Sequence, residues 1–191
     1  MKKGSSGIFR KGRGSGLGLA HGALLCWALV LAGCASPGRN GGEQPDAIEL
    51  AWRLNALTGG AAQEQARLLA ETAVARSHQL AEEYRAIRPP WLHNCFVQTG
   101  LKERGLCWQW ADDLHASLQA LDLPAFELHL VVARFGTRRE HNAVGVSARG
   151  VSFADGIVLD AWRRGGYLVW ADLREDKYPW YKRVDLTFKH P

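Results

Sequence analysis

The spacing of apolar residues changes once along the chain, at Leu123-Pro124. Before this point apolar residues recur at steps of three and four, which is typical of one face of a helix. After it they form short runs rich in Val, Leu and Phe, or alternate with polar residues, as in strands. Helices first and strands second predict an α+β fold, in which the helices pack on a small antiparallel β-sheet.

The pattern predicts three helices and four strands. Glycines end the first helix and prolines end the other two, and residues 91–104 are predicted to be loop. The expected helices are 46–57, 61–87 and 106–121, and the expected strands are 126–135, 142–147, 157–159 and 167–170.

The first 33 residues have the three parts of an export signal. A basic, Gly-rich start precedes an apolar run of about ten residues, which is too short to span a bilayer as a helix. The run ends in Leu31-Ala32-Gly33-Cys34, which resembles a lipobox, the signal for cleavage and lipidation at a cysteine. An ordinary signal peptide or membrane anchor with an incidental cysteine is the alternative.

We therefore expect a lipoprotein signal peptide over 1–33, a lipidated Cys34 with a tether over 34–45, and one domain over 46–191. Lipidation would hold the protein on a membrane, because each buried methylene adds about 0.8 kcal/mol. Ala35 follows the cysteine where an Asp would signal retention, which resembles outer-membrane sorting in two-membrane bacteria. The expected location is the cell envelope, on the periplasmic face of the outer membrane.

The excess positive charge lies in this leader. The chain has 24 Lys and Arg against 19 Asp and Glu, and five of the basic residues and none of the acidic ones lie within 1–33, which leaves 19 of each. A neutral domain gives no electrostatic support to nucleic-acid binding. The domain sequence also has neither the Cys and His spacing of a zinc site nor a Gly-rich phosphate loop, so we expect no metal and no cofactor.

Cys107 stands at the start of the third predicted helix. The N–H groups at a helix start stabilise a thiolate, which is the nucleophilic form of cysteine. Such a nucleophile needs a histidine and a third group that fixes the imidazole. His141 precedes the second predicted strand and Asp160 follows the third. Neighbouring strands lie about 4.8 Å apart, so these two side chains can touch if the register permits.

The segment 105–111, Gly-x-Cys-Trp-x-x-Ala, resembles the nucleophile segment of the transglutaminase-like and papain-like superfamily of cysteine enzymes. The order Cys, His, Asp, at spacings of 34 and 19 residues, is similar to that of bacterial transglutaminase-like cysteine proteinases. The resemblance covers about residues 90–170 and implies that Cys107 is the nucleophile, His141 the base and Asp160 its orienter. Ala161 stands where the family has a proline.

The oxyanion donor does not carry over from the family. Papain-like enzymes have a Gln six residues before the cysteine, where this chain has Leu101. Gln98, nine residues before Cys107, is the candidate that we adopt, with Asn94 as another. Losing one such donor typically lowers the rate about 10²- to 10³-fold.

These residues predict an envelope-anchored cysteine peptidase or amidase acting on a protein or peptide substrate. A transamidase would use the same triad with an amine in place of water. The alternative of another class is a non-catalytic envelope binding or assembly lipoprotein, in which Cys95 and Cys107 form a disulfide in an oxidising compartment. In that case His141 would be an ordinary turn histidine.

Overall fold

The computed structural model describes residues 47–183. These residues belong to one of the two units into which the chain divides, Gly42–Pro191. The predicted signal peptide, Cys34 and the tether lie outside the described residues. The helices of the described part are α1 (Ala47–Leu57), α2 (Gln63–Glu83), α3 (Pro90–Gln98) and α4 (Cys107–Gln119).

Five strands follow the helices and form one antiparallel sheet. In the order β4-β3-β2-β1-β5, each strand is antiparallel to its neighbours, and β2 is central. This arrangement confirms the predicted α+β class. The strands are β1 (Phe126–Ala133), β2 (His141–Ala148), β3 (Ile157–Arg164), β4 (Tyr167–Asp172) and β5 (Trp180–Lys182).

The structure corrects the prediction in four places. The third strand extends to Arg164 rather than ending at Leu159, so Asp160 lies within β3 and does not follow it. Residues 91–104 are not all loop, because α3 begins at Pro90, whose fixed φ suits the first position of a helix. The second helix ends at Glu83 rather than near Ile87, since Arg85 adopts a left-handed φ of 48° that ends helices. The fifth strand was not predicted, because three residues are too few to show a strand period.

Each face of the sheet packs against its own core. Successive side chains of a strand point to opposite faces. Val144 and Val146 belong to the main core with α1, α2 and α4, whereas Ala143 belongs to a smaller core with Trp180. All eight residues of β2 are buried as a result. The start of β2, where His141 lies, is therefore buried between the two cores.

Within residues 47–183, no helix is long and apolar enough to cross a membrane. The longest helix, α2, buries one stripe of mostly small side chains, and the other helices likewise bury part of their surface. The stripe of α2 consists of Ala66, Leu69, Ala70, Ala73, Ser77 and Leu80.

Candidate active site

Cys107 is the first residue of α4. The preceding Leu106 has no side-chain oxygen with which to cap the helix. Gln109 instead turns back, and its Oε1 accepts hydrogen bonds from the N–H groups of Gly105 (2.8 Å) and Leu106 (3.0 Å). The N–H of Gln109 bonds to the carbonyl of Leu106 (2.9 Å), whereas those of Cys107 and Trp108 have no acceptor within the helix and can act on a group beside the thiol.

The loop before Cys107 is fixed by a buried histidine. His93 accepts a hydrogen bond at Nδ1 from the N–H of Ile87 (3.2 Å), so its Nε2 carries the proton and donates to the carbonyl of Arg104 (2.9 Å). Gly105 has a φ of +121°, and a Cβ there would lie 2.1 Å from Nε2 of His93. These contacts give His93 a structural role in the loop before Cys107.

The thiol of Cys107 contacts both neighbours of His141. Its Sγ lies 3.9 Å from the carbonyl oxygen of Glu140 and 3.9 Å from Nδ2 of Asn142. These contacts bring the start of α4 against the start of β2. Asn142 is itself held, since its Nδ2 also donates to Oε1 of Glu140 at 3.1 Å.

His141 and Asp160 form a buried hydrogen-bonded pair. The Nε2 of His141 lies 2.6 Å from Oδ2 of Asp160, and the two residues are 3% and 1% exposed. The register explains the contact. Val144 pairs with Leu159, so continuing the ladder puts Asp160 beside Ala143, diagonal to His141 on the neighbouring strand.

Arg163 is a second cation bound to Asp160, and its Nε shares the oxygen Oδ2 with His141. The Nε and the backbone N–H of Arg163 donate to the two carboxylate oxygens of Asp160, each at 2.9 Å. Burial alone would raise the pKa of Asp160, but the charges and hydrogen bonds of His141 and Arg163 lower it below its ordinary value. Asp160 is therefore ionised at neutral pH.

The imidazole of His141 is held in its protonated form. Burial lowers the pKa of His141, but the charge and hydrogen bond of Asp160 and the interaction with the Cys107 thiol outweigh it, raising the pKa to about 9. The second ring nitrogen, Nδ1, is buried and has no hydrogen-bond partner among the described residues. Because Nε2 is committed to Asp160, Nδ1 is the nitrogen left for proton exchange.

Three aromatic rings surround this imidazole. The ring centroids of Trp162 and Tyr178 lie 4.9 Å from that of His141, and the centroid of Trp180 lies 5.4 Å away. Trp162 is fixed in turn by a hydrogen bond from its Nε1 to Oδ1 of Asn94 on α3 (3.2 Å). The rings exclude water from the His141–Asp160 pair and so strengthen its electrostatic interaction.

A second carboxylate anchors this aromatic wall. Asp176 accepts two hydrogen bonds from Arg163, at 2.9 and 2.7 Å, and one from Nε1 of Trp180, at 2.7 Å. A continuous chain of polar contacts thus runs from His141 through Asp160 and Arg163 to Asp176. It joins the segment that carries Tyr178 and Trp180 to the strand that carries Asp160.

The structure brings the three predicted triad residues together but treats the oxyanion candidates differently. Gln98 is exposed at the end of α3, and its side chain has no hydrogen-bond partner within residues 47–183, so its role stays a prediction. Asn94 binds Trp162. The amide found at the thiol is that of Asn142, which sequence reasoning missed although it directly follows His141.

Both cysteines of the described segment are free thiols. Cys95 is exposed on α3, and Cys107 is partly buried. The Cys95–Cys107 disulfide of the alternative interpretation is thus not formed in this structure. Arg163, Tyr178 and Trp180 were also missed as site residues, and the only sequence signal for them was the position of Arg163 three residues after Asp160.

Metal ligation has no support in the described part of the chain. Among residues 47–183, no group of three or more His, Cys, Asp or Glu side chains could hold a metal ion. Comparisons with known proteins add nothing to the site, since no family model, curated protein or solved structure matches the chain.

Proposed function

We propose that residues 46–191 form a cysteine peptidase or amidase of the transglutaminase-like kind, with Cys107 as nucleophile, His141 as general acid and base, and Asp160 as the group that orients the imidazole. One observation carries the proposal. A half-buried thiol at a helix start adjoins a buried imidazole whose other nitrogen is held by an ionised carboxylate. Nucleophile, base and orienting group in this relation are the features of thiol catalysis.

In the first step the thiolate of Cys107 attacks the carbonyl carbon of an amide, and the carbonyl electron pair moves to oxygen. His141 gives the proton on Nδ1 to the leaving nitrogen, the C–N bond breaks, and a thioester remains on Cys107. Water then attacks the thioester while His141 takes a proton from it. The C–S bond breaks, which releases an acid and restores the thiolate–imidazolium pair.

The negative oxygen formed in each step needs donors. The Nδ2 of Asn142, 3.9 Å from Sγ, and the free N–H groups at the start of α4 are the donors nearest to the thiol. A carbonyl oxygen bound between them would lie within hydrogen-bonding reach of both. We therefore prefer Asn142 to Gln98 as the side-chain donor, with the backbone N–H of Cys107 as its partner.

The triad serves hydrolysis and transamidation alike, since the two differ only in what attacks the thioester. We favour hydrolysis, because water is the abundant acceptor. The substrate class is a protein or peptide. Lipidation at Cys34 and a position at the periplasmic face of the outer membrane complete the proposal, and they rest on the sequence Leu31-Ala32-Gly33-Cys34 alone.

Capture of the thioester tests the reaction. The exported protein with Cys95 replaced by Ser would be mixed with a digest of envelope proteins, quenched in acid and analysed by mass spectrometry of the peptide that contains Cys107. We expect an acyl adduct on Cys107 that hydroxylamine removes. A Cys107→Ala variant is the control for adducts elsewhere.

The same experiment separates the alternatives. Addition of an excess of a labelled primary amine would leave product peptides unlabelled in a hydrolase and label them in a transamidase. The non-catalytic alternative is tested in the protein that keeps Cys95. If Cys95 and Cys107 react with alkylating reagents only after reduction, and no adduct forms on Cys107, the protein is the binding module instead.

A further inference from the structure

Three cations surround one ring of the aromatic wall. The guanidinium of Arg163 lies 4.9 Å from the centroid of Tyr178, and Arg134 and Lys177 each lie 5.2 Å from it. Tyr178 in turn lies 4.9 Å from the ring of His141. Both outer cations are therefore within about 10 Å of the imidazole.

Only the innermost of these cations is neutralised. Arg163 is bound by Asp160 and Asp176. Arg134 and Lys177 are exposed, and neither forms an ion pair with a carboxylate within residues 47–183. The loop between β1 and β2 adds two more exposed arginines that have no carboxylate partner among the described residues, Arg138 and Arg139.

The nearby carboxylates are largely occupied elsewhere. Glu140 accepts from Nδ2 of Asn142 at Oε1 and from the N–H of Gly136 at Oε2. Asp176 is bound by Arg163 and Trp180. The exposed Glu175 is the remaining acidic side chain of residues 134–140 and 173–179, the two segments that carry these cations. Hydrogen bonds from neutral groups leave the charge of Glu140 in place, so Glu140 and Glu175 oppose the four unpaired cations named above. Positive charge therefore predominates at this side of the site, although the domain as a whole is neutral.

From this arrangement we propose that Arg134 and Lys177 bind a carboxylate of the substrate, so that the enzyme acts on acidic peptides. The inference rests on the proposed function, because it concerns the substrate of the same site. An extended peptide advances about 3.3 to 3.6 Å per residue. A carboxylate at Tyr178 would thus belong to a residue within about three positions of the carbonyl that Cys107 attacks.

Two sources supply a carboxylate of this kind: the side chain of Asp or Glu, and the free carboxyl terminus of a peptide. Both present two oxygens that an arginine binds in a forked arrangement and a lysine binds as a point charge. The chemistry at Arg134 and Lys177 is shared, so the peptides of the test distinguish the sources.

A charged and an uncharged alkylating reagent test the cations without any need for turnover. Iodoacetate and iodoacetamide both alkylate Cys107 but differ by one negative charge. We expect the ratio of their rate constants, iodoacetate over iodoacetamide, to fall about two- to tenfold in Arg134→Gln and in Lys177→Gln, from the Coulomb attraction at about 10 Å. High salt should shrink the difference.

Arg149→Gln is the matched control. It removes one positive charge from the far end of β2, where the Nε of Arg149 donates to the carbonyl of Pro124. Its ratio should stay at the wild-type value. A ratio that changes no more in Arg134→Gln and Lys177→Gln than in Arg149→Gln overturns the proposal.

Short peptides then report the source of the carboxylate. Acetyl-Ala-Ala-Glu-amide, its Gln counterpart, and the Gln peptide with a free carboxyl terminus would compete with iodoacetamide for Cys107. Stronger protection by the Glu peptide shows that the subsite binds a side-chain carboxylate, and stronger protection by the peptide with a free terminus shows that it binds a terminal carboxylate. Either result supports the subsite if the added protection is lost in the double variant of Arg134 and Lys177. Equal protection by all three peptides overturns it.

Failure of the proposed function would look different. If iodoacetamide alkylates Cys107 at the same rate in wild type and in His141→Ala, the proposed thiol enzyme is contradicted. The ratio of the iodoacetate rate constant to the iodoacetamide rate constant, in contrast, tests only the role of Arg134 and Lys177. The two outcomes are therefore distinguished by different variants and different rate constants.

Discussion

The Nε2 atom of His141 lies 2.6 Å from Oδ2 of Asp160, and both side chains are buried. This contact fixes which nitrogen of His141 is left for proton exchange, because Nε2 is committed to Asp160 and Nδ1 has no partner among the described residues. The carboxylate is also held by Arg163, whose Nε binds the same oxygen.

The first prediction concerns this pair. Asp160→Asn keeps the shape of the side chain but removes its charge, so the imidazolium loses its partner and the imidazole its preferred tautomer. We expect the rate of thioester formation on Cys107 to fall by about 10²- to 10⁴-fold, the usual contribution of positioned acid–base catalysis. Mass spectrometry of the acyl adduct over time measures it, and a loss below threefold contradicts the assigned role of Asp160.

The second prediction concerns the oxyanion donor. Asn142→Ala removes the amide beside Sγ, and we expect kcat to fall about 10²- to 10³-fold, as for a lost oxyanion donor. Gln98→Ala is the paired variant, because Gln98 is exposed at the end of α3. Steady-state kinetics on one peptide compares them. A large loss in Gln98→Ala with little loss in Asn142→Ala would restore the assignment made from the sequence.

The third prediction separates backbone strain from steric clash. Gly105→Ala combines a φ of +121° with a Cβ 2.1 Å from His93, whereas Gly100→Ala has a φ of +77° with nothing within 4 Å of the added Cβ. We expect the free energy of unfolding in urea to fall by about 3 kcal/mol or more in Gly105→Ala, since strain and overpacking each contribute about 1–3 kcal/mol.

Gly100→Ala is the control for strain alone, and we expect it to lower the free energy of unfolding by about 1 kcal/mol. Equal losses in the two variants would mean that the contact between His93 and the loop before Cys107 is not the constraint described above.

The fourth prediction is a pH dependence of stability. The pKa of His141 rises from 6.5 in the unfolded chain to about 9 in the fold. Its contribution is fully present below pH 6.5, where both states bind the proton, and is lost as the pH rises through about 9. Asp160 stays ionised over this range, because its pKa is lowered.

The free energy of unfolding should therefore decline from about pH 6.5 to about pH 9 by on the order of 3 kcal/mol at most. Urea titrations at several pH values would measure the slope in wild type and in His141→Gln, which lacks the titrating group. An equal slope in the variant would assign the decline to other groups.

The α+β class and the first, second and fourth helices could be predicted because apolar periodicity is a local signal. The ends of α2 and the whole of α3 could not, since they depend on the φ of Arg85 and on Pro90 starting a helix rather than stopping one. The fifth strand exists only through its pairing with β1, as Trp180 opposite Ala133 shows.

The residues of the candidate site were likewise predictable only where a local sequence signal marks them. Cys107 and His141 each begin an element, and Asp160 follows them in a recognisable order, although it lies inside β3 rather than at its end. Asn142 and Tyr178 reach the site through tertiary packing that no sequence period records. Gln98 was chosen by its distance along the chain from Cys107, which does not determine its distance in space.

The pH profile of alkylation tests the central claim most directly. The rate constant for iodoacetamide at Cys107 would be measured between about pH 5 and pH 9 in wild type and in His141→Ala, both with Cys95 replaced by Ser. A protonated imidazole beside a thiol stabilises the thiolate, which is the form that iodoacetamide alkylates. We predict that the rate constant of wild type exceeds that of His141→Ala at neutral pH, and that this excess shrinks as His141 loses its proton near pH 9. Identical profiles in the two proteins would contradict the thiolate–imidazolium pair.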